Sequence, residues 1–92
     1  MNTDDAEVLS ERLLKLAVAL DESIGFVRER ATPEETEEYS KAIAKVLGNL
    51  YWHVTGPLWE RHPTLKPEDQ GGPYRIDRSS FEKWFPENNE ND

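Results

Sequence analysis

The stretch ATPEE, residues 31–35, separates two long segments of helical periodicity and therefore decides the fold. Thr32 is a favoured N-cap residue, Pro33 suits the first position of a helix, and Glu35 completes a capping box with Thr32. The pattern predicts that a helix begins at Pro33. Because the connection between the two segments is short, the helices should lie antiparallel as a hairpin.

The segment before this break, residues 4–30, is predicted to form one long helix. Asp4, Asp5 and Glu7 lie at its N-terminal end and Arg28 and Arg30 at its C-terminal end, and both placements of charge suit the helix dipole. Its apolar residues recur at spacings of three and four, which places them on one stripe. The stripe consists of Ala6, Leu9, Leu13, Leu16, Ala17, Leu20, Ile24 and Val27.

The segment after the break is predicted to be helical over residues 33–62, with a kink near Pro57. Gly56 and Pro57 both disfavour helix, so the helix could instead end there. We favour a kinked continuation that stops before Pro63, because PLWERH retains helix-forming residues. The core stripe of this helix comprises Tyr39, Ile43, Val46, Leu47, Leu50 and Val54.

The remainder of the chain is expected to be largely irregular. Residues 62–73 read HPTLKPEDQGGP, and so many prolines and glycines predict no regular element. Ser79 or Ser80 could cap a short helical turn over residues 81–85, which Pro86 would end. We expect one helical domain over residues 1–86 and a disordered tail over residues 87–92.

The fold class is therefore all-α, and the first helix indicates how the hairpin is completed. Several of its apolar residues lie off the main stripe, and a helix that is apolar on more than one side is usually covered by more than one neighbour. Two hairpins can supply those neighbours, so we expect a homodimeric four-helix bundle with two-fold symmetry. The off-stripe residues are Val8, Leu14, Val18, Ala19 and Phe26.

The stretch LYWHVTGPLWERHP, residues 50–63, concentrates the aromatic residues of the second helix. Trp52 and Trp59 are seven residues apart, which separates them by about 20° on a regular helix and points both away from the core stripe. Two exposed tryptophans need a covering surface. We expect the C-terminal segment, in the same chain or in a second subunit, to fold onto them. The predicted interaction patch is Tyr51, Trp52, Trp59, Phe81, Trp84 and Phe85.

The same stretch holds both histidines, which raises the alternative of a small ligand- or metal-binding bundle. His53, Glu60 and His62 with the neighbouring aromatic residues would form that site. His53 and Glu60 are two turns apart and no HExxH motif occurs, so a boundary histidine is the simpler interpretation. An aromatic ligand pocket built from Tyr51, Trp52, Trp59 and Trp84 is a further alternative, although packing in a core or an interface is the simpler interpretation of these residues.

Chemistry-bearing motifs are otherwise sparse. The chain has no cysteine, which removes disulfides and thiolate metal sites, and its serines lie in no nucleophile-elbow sequence. We therefore expect no catalytic residue, no cofactor and no enzymatic activity.

Composition and charge restrict the partners and the location. The chain has 92 residues, a net charge of -8 and 36% hydrophobic residues. No segment is basic overall, which disfavours binding to nucleic acid or to an anionic membrane. The N-terminal residues MNTDDAEVLSER do not resemble a signal peptide, and no apolar run is long enough to cross a membrane. A cytoplasmic location is expected.

One resemblance adds to these expectations. PLWERHPTLKPE, preceded by AKVLGNLYWHVTG, resembles the C-terminal half of small acidic bacterial proteins that are mostly helical and functionally uncharacterised. LLKLAVALDESIGFVRE is similar to their first helix, so the resemblance covers about residues 7–68. It implies a bacterial, cytosolic helical protein and transfers no catalytic residue. Together with the aromatic patch, it favours a non-enzymatic homodimer that acts through protein–protein interaction, with a basic protein as the partner that an acidic surface would attract.

Overall fold

The computed structural model describes residues 1–76, which form a hairpin of two long helices followed by a short helix and a compact loop. Helix α1 spans Thr3–Arg30 and helix α2 spans Pro33–Leu50. A π-helical turn, Tyr51–Thr55, joins α2 to helix α3, Gly56–Arg61. The all-α hairpin is confirmed for these residues. The predicted turn over residues 81–85, the domain boundary at residue 86 and the tail over residues 87–92 lie outside the described residues.

The hairpin connection forms as its sequence predicts. The Thr32 hydroxyl accepts a hydrogen bond from the Glu35 amide at 3.1 Å, and the Glu35 carboxylate accepts one from the Thr32 amide at 2.9 Å. These two bonds satisfy amide groups that have no partner within the helix. The capping box is therefore confirmed, and α2 begins at Pro33.

The helical path from α2 continues past Gly56 and Pro57 to Arg61, as predicted. The π turn within it was not predicted. Pro57 has no amide hydrogen, and its ring would crowd the carbonyl group one turn earlier in a regular α-helix. In the structure the Gly56 amide instead donates to the Tyr51 carbonyl, five residues back. The turn thus accommodates one extra residue, which rotates every later side chain by about 100° relative to a continuous α-helix.

One contact fixes the register of the two long helices. The hydroxyl oxygens of Ser23 and Tyr39 lie 2.8 Å apart. Because the helices are antiparallel, residues seven before Ser23 and seven after Tyr39 lie beside each other two turns further along the hairpin. These residues are Leu16 and Val46. A further two turns on, Leu9 and Val54 line one common cavity.

The buried core lies where the first half of α1 meets α3 and the loop that follows it. Ala6, Trp59 and Leu65 form its buried centre, and Leu14, Leu58 and Tyr74 pack around them. Ile43 is buried separately on α2. Parts of both predicted core stripes remain uncovered, since Leu16 and Val46 are each 47% exposed and Val54 is 44% exposed.

The loop after α3 is more regular than its prolines and glycines suggested. It contains two 3₁₀ turns, Pro63–Leu65 and Glu68–Gln70, and a parallel bridge between Pro67 and Tyr74. The expectation of no regular element was wrong because backbone hydrogen bonds close the loop on itself: the Tyr74 amide donates to the Lys66 carbonyl at 2.9 Å. Within residues 1–76, no helix is both long and apolar enough to span a membrane.

Candidate interaction surfaces

Trp59 lies in the core, and its indole nitrogen donates a hydrogen bond of 2.9 Å to the Ser10 hydroxyl. Its side chain is 6% exposed, whereas that of Trp52 is 73% exposed. The prediction that both tryptophans lie on the same outer face was therefore wrong for Trp59. The physical reason is the π turn between them, which rotates Trp59 by about 100° from the outer face toward α1.

An open groove of about 430 Å³ runs beside the exposed Trp52. The rings of Tyr51 and Trp59 form a corner of this groove, with their centroids 6.1 Å apart and their planes inclined by 57°. Three of the six residues of the predicted interaction patch thus meet here. The other three, Phe81, Trp84 and Phe85, lie outside the described residues. We call this the aromatic groove; it is lined by Tyr51, Trp52, Gly56, Pro57, Trp59, Glu60, Pro63 and Lys66.

A second surface follows the junction between α1 and α2. We call it the open face and define it by Leu9, Leu16, Val46 and Val54, which the antiparallel register places in pairs along one side of the hairpin. A cavity of about 300 Å³ lies at its end, where Leu9 and Val54 meet Leu58. Apolar side chains that are nearly half exposed, on neighbouring helices, form the kind of continuous patch that soluble monomers seldom present to water.

The structure does not bring the candidate metal residues together. His53 lines the cavity at the end of the open face, whereas Glu60 lines the aromatic groove. His62 follows the last residue of α3 and lines neither cavity. In the part of the chain that the structure describes, no three His, Asp or Glu side chains are grouped closely enough to hold a metal ion.

A cluster around Tyr74 was not predicted from the sequence. Its phenol oxygen lies 2.6 Å from a carboxylate oxygen of Glu11 and 2.9 Å from one of Glu7. Burial raises the pKa of Tyr74 well above its usual range, and the hydrogen bonds to Glu11 and Glu7 raise it further. The two glutamates are four residues apart, so they share a helix face, but that spacing alone indicates no tyrosine partner.

This cluster predicts that the protein loses stability at alkaline pH. The folded state holds the Tyr74 phenolic proton more tightly than the unfolded chain does, so its contribution is complete below about pH 10, the usual tyrosine pKa, and is lost as the pH rises further. The free energy of unfolding in urea, measured from pH 8 to 11, should therefore fall above pH 10. The free energy of unfolding of Tyr74→Phe should fall less steeply over this range, and that of Tyr51→Phe should fall as it does for the unmodified chain. Equal slopes for all three proteins would contradict this assignment.

Fold and surfaces together define a small acidic helical hairpin with an aromatic groove and an apolar open face. Comparison of the chain with protein-family models, curated proteins and solved structures gives no match in any of the three. What the protein does is therefore inferred from its own geometry and charge.

Proposed function

We propose that this is a non-enzymatic protein that acts through protein–protein interaction, as a homodimer in which two hairpins pack into a four-helix bundle. The observation that carries the proposal is the exposure of the open face: Leu16 and Val46, which the register set by Ser23 and Tyr39 brings to the same level of the hairpin, are each 47% exposed. Both described cavities are lined mainly by apolar and aromatic side chains, which suits the recognition of an apolar surface.

The geometry of the open face suits a second copy of the same chain. Leu9 and Leu16 are seven residues apart on α1, and Val46 and Val54 are eight apart because the π turn adds a residue between them. Each helix therefore repeats its apolar residues every two turns, as helices that pack nearly parallel in bundles do. In a two-fold symmetric dimer the same face meets itself, so one apolar surface supplies both halves of the interface. Ser23 and Tyr39 already bond to each other at one end of the face, so their hydroxyl groups would enter a dry interface with partners.

The charge of the surface favours a basic protein as a further partner of the dimer. Residues 1–76 contain fourteen acidic and nine basic residues. Four exposed glutamates, Glu34, Glu35, Glu37 and Glu38, crowd the first turns of α2, and of these Glu37 pairs with Lys41 at 3.4 Å. Such a field steers basic partners and repels acidic ones. A cytoplasmic location, where such a partner would be met, belongs to the same proposal.

Sedimentation equilibrium of the full chain tests the dimer. We expect a dimer at micromolar concentration, and we expect Leu16→Glu or Val46→Glu to raise its dissociation constant at least about tenfold, because each would bury an unpaired carboxylate at the interface. Both side chains are partly exposed in the single hairpin, so the variants should retain their helical circular dichroism.

Ala44→Glu is the matched control. Ala44 is exposed on the same helix, two residues from Val46 and on nearly the opposite side, so the same added charge there should leave the dimer unchanged. A chain that sediments as a monomer at every concentration would refute the dimer. If all three variants raised the dissociation constant equally, the open face would not be the dimer interface, and the added charge itself would explain the effect.

A further inference from the structure

We propose that the aromatic groove binds a small zwitterion that carries a methylated ammonium group, of which glycine betaine is the simplest example. This site is separate from the open face, and it would be a ligand site in addition to the interaction function. Its volume of about 430 Å³ lies within the range of small-molecule pockets.

The arrangement of the rings is the first reason. Tyr51 and Trp59 meet at an inclination of 57° with centroids 6.1 Å apart, and Tyr51, at 41% exposed, is the more open of the two to a cation in the groove. Trp52 supplies a third ring on the same groove. Aromatic rings beside a groove attract quaternary ammonium groups, because the ring faces are negative and the methyl groups are only weakly hydrated.

The charged residues of the groove are the second reason. Glu60 and Lys66 both line it, and neither side chain forms a hydrogen bond or an ion pair with any other residue of the range 1–76. A carboxylate complements an ammonium group, and an ammonium side chain complements a carboxylate group. A ligand that carries both charges would therefore pair with both residues, whereas a simple cation would leave Lys66 unmatched.

The groove is also held in shape before a ligand arrives. Trp59 is anchored by its hydrogen bond to Ser10, and the short backbone approach of Gly56 to the Tyr51 carbonyl fixes the π turn that carries Tyr51 and Trp52. Two prolines, Pro57 and Pro63, form part of the remaining wall and have restricted backbones. A preorganised site loses less entropy on binding than one that must be assembled.

Isothermal titration of the full chain with glycine betaine tests the proposal, with 3,3-dimethylbutanoate as the matched ligand. That compound has the same shape and the same carboxylate but replaces the ammonium nitrogen with carbon. We expect saturable binding of glycine betaine, about tenfold weaker binding of 3,3-dimethylbutanoate, and at least tenfold weaker binding of glycine betaine to Trp52→Ala. Lys66→Ala should weaken the binding of glycine betaine but not that of choline, which has no carboxylate.

Phe26→Ala is the control variant, since Phe26 is an exposed aromatic residue that does not line the groove, and it should bind glycine betaine normally. Three results would each overturn the proposal: no saturation with glycine betaine, equal binding of its carbon analogue, or binding that Trp52→Ala does not weaken. Helical circular dichroism of Trp52→Ala should be unchanged because the side chain is largely exposed.

Discussion

Replacing Trp59 by alanine is expected to lower the free energy of unfolding by about 3–5 kcal/mol, as large-to-small changes of buried aromatic residues do. Trp59 occupies the centre of the core with Ala6 and Leu65, and it is the one buried residue of α3, with Leu58 packed beside it only partly buried. Its loss would open a cavity between α1 and α3 and leave the Ser10 hydroxyl, which is fully buried, without its partner.

The hydrogen bond and the packing can be separated by a double-mutant cycle. Trp59→Phe keeps most of the ring but leaves the Ser10 hydroxyl without its hydrogen-bond partner, and Ser10→Ala does the same to the indole N–H. Each single change should therefore lower the free energy of unfolding by about 1–3 kcal/mol. The double variant Ser10→Ala/Trp59→Phe removes both polar groups and should cost less than the sum of the single changes.

Urea unfolding followed by circular dichroism measures all of these variants, and Trp52→Ala serves as the control. Trp52 is a tryptophan of the same helical path but is largely exposed, so its replacement should change stability by no more than about 0.5 kcal/mol. If Trp52→Ala were as damaging as Trp59→Ala, the assignment of one ring to the core and the other to the surface would be wrong.

The second large effect is expected at Gly56, where alanine should destabilise the protein by about 1–3 kcal/mol despite its higher helix propensity. A Cβ atom at Gly56 would lie 2.7 Å from the Tyr51 carbonyl oxygen, which is backbone and cannot turn aside. Relief of the clash requires the π turn to change, and that change would move the Trp59 side chain out of register with Ser10.

Gly48→Ala is the matched control for Gly56→Ala. Gly48 lies in α2, and a Cβ atom there would meet no other atom within 4 Å. Alanine at this position should therefore stabilise the protein, by up to about 1 kcal/mol. Opposite signs of the two changes in free energy are the expected result. A stabilised Gly56→Ala would show that the π turn is not held by its glycine.

The parts of the fold that local sequence determines were predicted well. Residues 31–35 specify the end of one helix and the start of the next through backbone geometry and two side-chain bonds, so ATPEE alone located the hairpin turn. Periodicity located α1 to within one residue at its start and gave the continuation through Arg61. These features depend on residues that are close together in the chain, so a single sequence is enough to predict them.

The site was predicted only in part, because its geometry depends on one unusual turn and on distant contacts. Periodicity assumes 3.6 residues per turn throughout, so one extra residue between Tyr51 and Thr55 misplaces everything after it. The Gly56-Pro57 pair was the available signal of an extra residue in the helix. If one residue is subtracted from the count before Trp59, its position falls four after Val54 and so returns to the core stripe. No comparable signal joins Tyr74 to Glu7, which lies 67 residues away.

The composition of the core has a consequence for the order in which the chain folds. Its centre joins Ala6 to Trp59 and Leu65, so it cannot close until the chain as far as Leu65 has left the ribosome. Until then α1 and α2 can pair locally, but such a pair exposes the surface that α3 will later cover. Contacts between residues far apart in sequence also slow folding, because closing a long loop costs entropy. During synthesis, Ala6 and Ser10 would therefore stay in contact with water until α3 and the loop after it have emerged.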